Sequence, residues 1–226
     1  MKITAVCAAA MALLATAGAA SAQDFAISGN VAVTSDYVFR GASQSNENPA
    51  AQAGVDVTSG SFYAGAWAST VEFGDETDAE IDLYGGYRTE AAGYALDFGV
   101  VGYLYAGDPS TSDYDFVEVK AAASRAVGPF TVGAAIFYSP DFFGAVDEEA
   151  IYTEVNAAFS PADKWSFSAA LGNQYMDVSN DYVTWNVGGA FSLTDNLALD
   201  VRYHDTDYSG SPLYDPRVAV TLKAVF

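Results

Sequence analysis

From residue 25 onward the chain alternates apolar and polar positions in twelve short segments, separated by gaps that are by turns short and long. In the first segment Phe25, Ile27, Val31, Val33, Tyr37 and Phe39 share one parity, and Ser28, Asn30, Thr34, Asp36 and Arg40 share the other. Successive strand side chains point to opposite faces, so each segment is a strand with one apolar and one polar face. The pattern predicts strands over 25–39, 50–58, 62–73, 79–89, 94–105, 114–123, 130–139, 150–159, 165–175, 181–191, 197–205 and 216–226. Connections after the even-numbered segments are short, and those after the odd-numbered ones are mostly longer and more acidic. That arrangement predicts an all-β chain folded as a transmembrane antiparallel up-and-down β-barrel of twelve strands, with both termini at the periplasmic end. No stretch beyond the N-terminal segment approaches the roughly 18 apolar residues of a spanning helix, and an open sheet would leave backbone groups unpaired in lipid. Pro49, Pro109, Pro129, Pro140, Pro161, Pro212 and Pro216 are all expected in connections or at strand starts, where a missing N–H is tolerated.

The N-terminus indicates export. Met1 and Lys2 precede an apolar stretch over 3–17, and Ala20, Ser21 and Ala22 form an A-x-A-like cleavage site. Residues 1–22 are therefore expected to be a cleaved signal peptide, leaving 23–226 as one barrel domain in the outer membrane. Cys7 lies within that signal, so the remainder has no thiol for a disulfide or a metal.

Aromatic residues cluster where an apolar band would meet lipid headgroups. Phe25, Tyr87, Tyr94, Phe130, Phe159, Trp165, Phe191 and Phe226 stand beside the short turns, and Tyr37, Phe39, Phe73, Tyr138 and Tyr203 near the long loops. The opposite parity carries the charge. Asp36, Asp56, Glu80, Asp82, Asp97, Glu118, Glu154 and Asp200, with Arg40, Arg88, Lys120, Arg202, His204 and Arg217, are the candidate lumen-lining residues. A charge facing lipid at the midplane costs roughly 2 to 4 kcal/mol, which sends them inward. Spacing of two pairs Glu118 with Lys120 and Asp200 with Arg202. Such pairs serve equally as a ladder that fills the barrel or as the lining of a passage, because twelve strands lie between the filled eight-stranded and the open sixteen-stranded kinds.

The formal net charge of −20 adds a sign to this picture. Acids crowd the long loops, among them Glu47, Asp75, Glu76, Asp78, Asp147, Glu148, Glu149 and Asp207, and a ring of carboxylates concentrates cations. The acids also fit two plainer roles, keeping the surface soluble and sharing divalent cations with lipopolysaccharide. Nucleic acid is excluded as a partner by the same charge. His204 is the single histidine and no nucleophile is spaced to match it, so no enzyme is expected. No phosphate-cradling glycine loop or zinc motif calls for a cofactor. Val218, Val220, Leu222, Ala224 and Phe226 alternate outward and stop on an aromatic, the form of an assembly signal read by the barrel assembly machinery.

Several runs resemble the TorF family of porins: SDYVFRG over 35–41 with Ser43 and Gln44, FYAGAWAS over 62–69, EIDLYGGYR over 80–88, YSPDFFG over 138–144, and WNVGGAFSLTDNLALDVRYHDTD over 185–207. The resemblance implies an outer-membrane β-barrel of gram-negative bacteria with no established substrate. Taken together, the sequence predicts a passive channel for small polar, cationic solutes, in contact with outer-membrane lipid and lipopolysaccharide. A closed structural or adhesion barrel, plugged by Tyr84, Tyr103, Tyr105, Tyr152 and Tyr182, is the alternative, and a soluble periplasmic ligand-binding barrel a third.

Overall fold

A computed structural model describes residues 25–107, 109 and 112–226. The expected signal peptide, 1–22, lies outside the described residues. The strands in chain order are β1 (Phe25–Thr34), β2 (Val38–Phe39), β3 (Ala42–Ser43), β4 (Ala50–Ser59), β5 (Phe62–Thr70), β6 (Ala79–Ala91), β7 (Tyr94–Ala106), β8 (Phe116–Val127), β9 (Phe130–Phe142), β10 (Glu148–Ala162), β11 (Trp165–Met176), β12 (Tyr182–Ser192), β13 (Leu197–Thr206) and β14 (Arg217–Val225). A 3-10 turn, Pro212–Tyr214, precedes β14. Twelve of the strands, β1 and β4 to β14, form one closed antiparallel barrel in which each pairs with its neighbours in the chain.

Closure is made by β1, which pairs with β4 along its length and with β14 from Asn30↔Val225 to Thr34↔Thr221. Beyond the last strand, the Phe226 N–H donates to the Gly29 carbonyl at 3.0 Å and the Gly29 N–H donates to the Phe226 carbonyl at 2.8 Å. No barrel strand is left with an open edge, the condition for standing in hydrocarbon. The partition between faces is inside-out relative to a soluble protein. Ile27 is 72% exposed and Leu83 52%, whereas Arg202 is 5% and Asp97 0% exposed. A continuous apolar exterior of this kind matches lipid, since soluble monomers rarely carry large apolar patches.

Around the short-turn end, aromatic rings pair across strands: Phe62 with Tyr87 at 5.1 Å, Phe130 with Phe159 at 5.1 Å and Trp165 with Phe191 at 4.7 Å. At the other end Trp185 and Tyr203 pair at 5.1 Å. Three aromatics expected in that second girdle are elsewhere. Tyr37 and Phe39 have left the wall, and Phe73 packs against Tyr105, Tyr114 and Phe143 in a cluster at the mouth.

The largest difference from the sequence pattern concerns the first segment. Alternation runs unbroken to Arg40, yet β1 stops at Thr34 and the chain turns into the barrel as a two-stranded hairpin, β2 and β3. The same period of two serves a wall strand and an inward hairpin, so alternation alone does not separate them. Two prolines also differ from expectation, because Pro140 lies within β9 and Pro161 within β10. Both sit at strand ends where the ladder slips, Pro140 opposite the irregularity between Glu148 and Ala150 and Pro161 within the one between Phe159 and Ala162. A bulge removes the need for the hydrogen bond proline cannot donate.

Candidate functional site

The hairpin turns at Arg40 and Gly41, whose φ angles are 46° and 86°. Positive φ at both central residues is the two-residue turn whose twist suits a hairpin, and Asn-Gly is its usual occupant. Arginine there costs about 1 to 2 kcal/mol of backbone strain. The strain is offset by what the side chain reaches. Arg40 Nη1 and Nη2 donate to Glu118 Oε1 and Oε2 at 2.8 and 2.7 Å, a bidentate pair, and Nη1 also donates to Gln174 Oε1 at 3.1 Å. The guanidinium lies 4.2 Å from the Tyr152 ring centroid and 5.1 Å from that of Phe137. Gly41 has no room for a side chain, since an added Cβ would stand 2.6 Å from Thr184 Oγ1.

The hairpin therefore spans the interior from β8 to β12, and its stem is tied to the remaining wall. Asp36 accepts from Arg217 Nη1 at 3.0 Å and from Ser43 Oγ at 2.6 Å. Tyr37 donates its hydroxyl to Glu80 Oε1 at 2.9 Å and meets the Trp67 ring edge-on at 5.3 Å. The return limb is joined to the next long loop, where the Glu72 N–H donates to the Gln44 carbonyl at 2.8 Å. Asp36 and Arg40, expected on a wall strand, thus belong to a loop that enters the barrel.

The other candidates sit on barrel strands and divide by partner. Asp97 on β7 accepts from Lys120 Nζ at 3.2 Å, from Arg88 Nε at 3.3 Å and from the Tyr63 hydroxyl at 2.7 Å. Arg202 on β13 donates to Asp200 at 3.2 Å, Ser168 at 2.9 Å and Asn186 at 2.8 Å. His204, on the same face, is buried across from Arg217 in the β13–β14 register. The expected Asp200 and Arg202 pair forms, but Glu118 and Lys120 do not pair with each other. Each is claimed by a different partner, Glu118 by Arg40 of the entering hairpin and Lys120 by Asp97 on β7.

Four of the candidate lumen-lining carboxylates have no ion pair among the described residues: Asp56, Glu80, Asp82 and Glu154. Neutral donors hold three of them. Tyr84 donates to Asp56 at 2.7 Å, Tyr37 to Glu80 at 2.9 Å, and Tyr152 and Asn156 to Glu154 at 3.0 Å each. Asp82 Oδ1 is buried without a hydrogen-bond partner. Interior acids thus outnumber the bases that neutralise them. Tyr84 and Tyr152 were expected in the interior, as part of a plug, whereas Tyr37 in this role, Tyr63, Gln174 and Gly41 were not legible as site residues, although an Arg-Gly step inside an otherwise regular alternation is a turn signal.

At the mouth, outside the spanning segments, the Thr77 N–H bonds Asp75 at 2.9 Å and holds its carboxyl below the usual range. Burial among Tyr182 and Tyr208 pushes the Tyr214 hydroxyl up. The two sides of the interior differ in bulk. Toward the short-turn end Tyr63, Tyr84, Arg88 and Lys120 fill the β5–β8 side, whereas Gly133, Ala135, Ala158, Ser168 and Ala190 line the β9–β12 side, and farther along those strands stand Phe137, Tyr152, Glu154, Gln174 and Tyr182.

The family profile described as a bacterial protein of unknown function (Gcw_chp) matches residues 16–226. No curated protein matches the sequence. Among solved structures the KdgM porin matches with a TM-score of 0.62 at 8% identity, covering 88% of this chain and 99% of that one. The NanC porin matches with a TM-score of 0.55 at 10% identity, covering 88% and 98%. A further structure is the KdgM porin in complex with disordered oligogalacturonate, with a TM-score of 0.60 at 8% identity, covering 88% and 98%. The chain spans 62% of the length of another porin, at a TM-score of 0.45 and 14% identity and with 78% of its own length covered. At these identities the likeness is one of fold: the barrel of this chain is built as porin barrels are.

Proposed function

The chain belongs to the Gcw_chp family, and because that description assigns no activity, we propose from the geometry that it is an outer-membrane channel for passive diffusion of small polar solutes, with a preference for cations. On this reading residues 1–22 are a cleaved signal, Phe226 ends the assembly signal read by the barrel assembly machinery, and the chain is a TorF-type porin seated in outer-membrane lipid and lipopolysaccharide. The observation that carries it is the pairing of a closed barrel, apolar outside, with an interior whose acids exceed their ion-paired bases. Unneutralised carboxylates such as Asp56 and Glu154 raise the local cation concentration and repel anions. The polyanionic oligogalacturonate in the KdgM complex is therefore a poor guide to the cargo here, which we take to be neutral or cationic.

On this reading the β2–β3 hairpin narrows the passage, which continues past the small side chains at the short-turn end of β9–β12. Planar-bilayer recording of the refolded protein in a potassium chloride gradient tests the reading. Discrete conductance steps with a reversal potential of the cation-selective sign are expected, and anion selectivity would overturn the preference. The crossing of the interior by Arg40 specifically favours the second reading, a closed barrel without conduction. A silent bilayer containing demonstrably folded protein would establish that alternative.

A further inference from the structure

Among the described residues, Arg125 is the one Lys or Arg of a barrel strand whose side chain shares the outward parity of the apolar band. It lies on β8 in phase with Val117, Val119, Ala121 and Ala123, near the short-turn end. Arg88, Lys120, Arg202, Arg217 and Lys223 all take the opposite parity. The Arg125 guanidinium is held at the aromatic girdle by Tyr94, whose hydroxyl accepts from Nη1 at 3.3 Å and whose ring centroid is 5.0 Å away. An arginine stationed at headgroup height with an aromatic under it is placed to meet an anion at the membrane surface.

A second feature lies on the same face, one step further into the hydrocarbon. The wall dips where Ala121, Ala123 and Ala134 stand between Phe98 and Ile136, leaving an apolar groove of about 650 Å³. Phe98 and Ile136 are exposed on the outer surface, so the groove opens to the outside of the barrel. Ala123 is both a floor residue of the groove and the outward neighbour of Arg125 along β8. The groove and the cation are therefore continuous, an apolar channel closed at one end by a positive charge.

We propose that this face binds one anionic phospholipid of the inner leaflet, with its phosphate on Arg125 and an acyl chain in the alanine groove. Charge complementarity selects the occupant. A neutral surface would hold lipids of any headgroup alike, whereas an outward guanidinium at the phosphate level favours a net negative headgroup. Position selects the leaflet, since the short-turn end of such barrels faces the periplasm, away from lipopolysaccharide. The inference goes beyond channel function and requires only that the barrel stand in a membrane.

The test is native mass spectrometry of the folded protein in detergent with equal amounts of phosphatidylglycerol and phosphatidylcholine, folding being checked by heat-modifiable gel mobility. One phosphatidylglycerol adduct is expected to survive gentle activation. Arg125→Gln should lower the phosphatidylglycerol preference roughly fivefold, the worth of one basic residue at an anionic lipid surface. Ala134→Leu, which fills the groove, should weaken both lipids and leave the headgroup ratio unchanged. Lys164→Gln serves as the control, because Lys164 lies in the β10–β11 turn over the Phe191 ring and away from the groove. Adducts indifferent to headgroup and to both substitutions would mean annular lipid only and would overturn the proposal. So would a dimer that Ala134→Leu disperses, which assigns the groove to a second copy, or a preference for lipopolysaccharide over phosphatidylglycerol.

Discussion

The two sides of the barrel interior have the same backbone and opposite contents. From β5 to β8 the inward positions carry tyrosines and charges that bond one another, as in Tyr63, Arg88 and Lys120 around Asp97. From β9 to β12 the positions toward the short turns are glycine, alanine, serine and asparagine, over which Arg202 reaches from β13, and the large side chains Phe137, Tyr152, Gln174 and Tyr182 come only farther along, toward the mouth. The lesson concerns division of labour within one closed sheet. The filled side anchors the entering loop and provides rigidity, because its buried charges, the Asp82 Oδ1 atom excepted, have a partner or a hydroxyl donor. The sparse side leaves room, and room is what a solute requires.

The strongest way to break this comparison is to remove the element that bridges the two sides. Replacing residues 38–43 by glycines should raise single-channel conductance several-fold; an unchanged conductance would show that the hairpin does not obstruct the passage. Next in size is the anchor. Glu118→Ala leaves Arg40 buried beside an uncharged wall and should cost up to about 3 to 5 kcal/mol in urea unfolding from detergent, less to the extent that water enters the barrel. Glu118→Gln should cost less than Glu118→Ala, since an amide oxygen still accepts from the guanidinium. Bulk placed on each side then sharpens the contrast. Ala158→Trp should lower conductance clearly, whereas Tyr84→Ala on the filled side should change it little; equal effects would dissolve the distinction between the walls. The smallest effect is electrostatic. Glu154→Gln removes a carboxylate with no ion pair and should move the reversal potential toward zero, with a shift that shrinks at high salt.

Much of this was legible beforehand because a membrane barrel makes strict demands on alternate positions. Leu83 and Val201 are exposed, and Arg202 buried, as their parities require. The strand order and the short turns follow from the same constraint, since a one-residue slip would put every charge of a strand into lipid. Ion pairing was less legible. Lys120 was expected beside Glu118 and instead meets Asp97 across the sheet, because pairing depends on which neighbouring strand offers the nearer oxygen. The hairpin was not legible at all from period. Tyr37 and Phe39 continue the parity of Phe25 and Ile27, and nothing in that rhythm distinguishes a ring facing lipid from a ring packed inside.

What the amino-acid order determined alone is the number of wall strands, their direction and the face each side chain takes, because one-sided solvation by hydrocarbon acts on every residue independently of its distant neighbours. What the tertiary structure decided is where the first loop goes and which charges meet. Arg40 finds Glu118 only after the sheet has closed and brought residues 78 positions apart to within 2.7 Å. That encounter depends on the curvature and diameter of the whole barrel, a quantity that no local window of the chain contains.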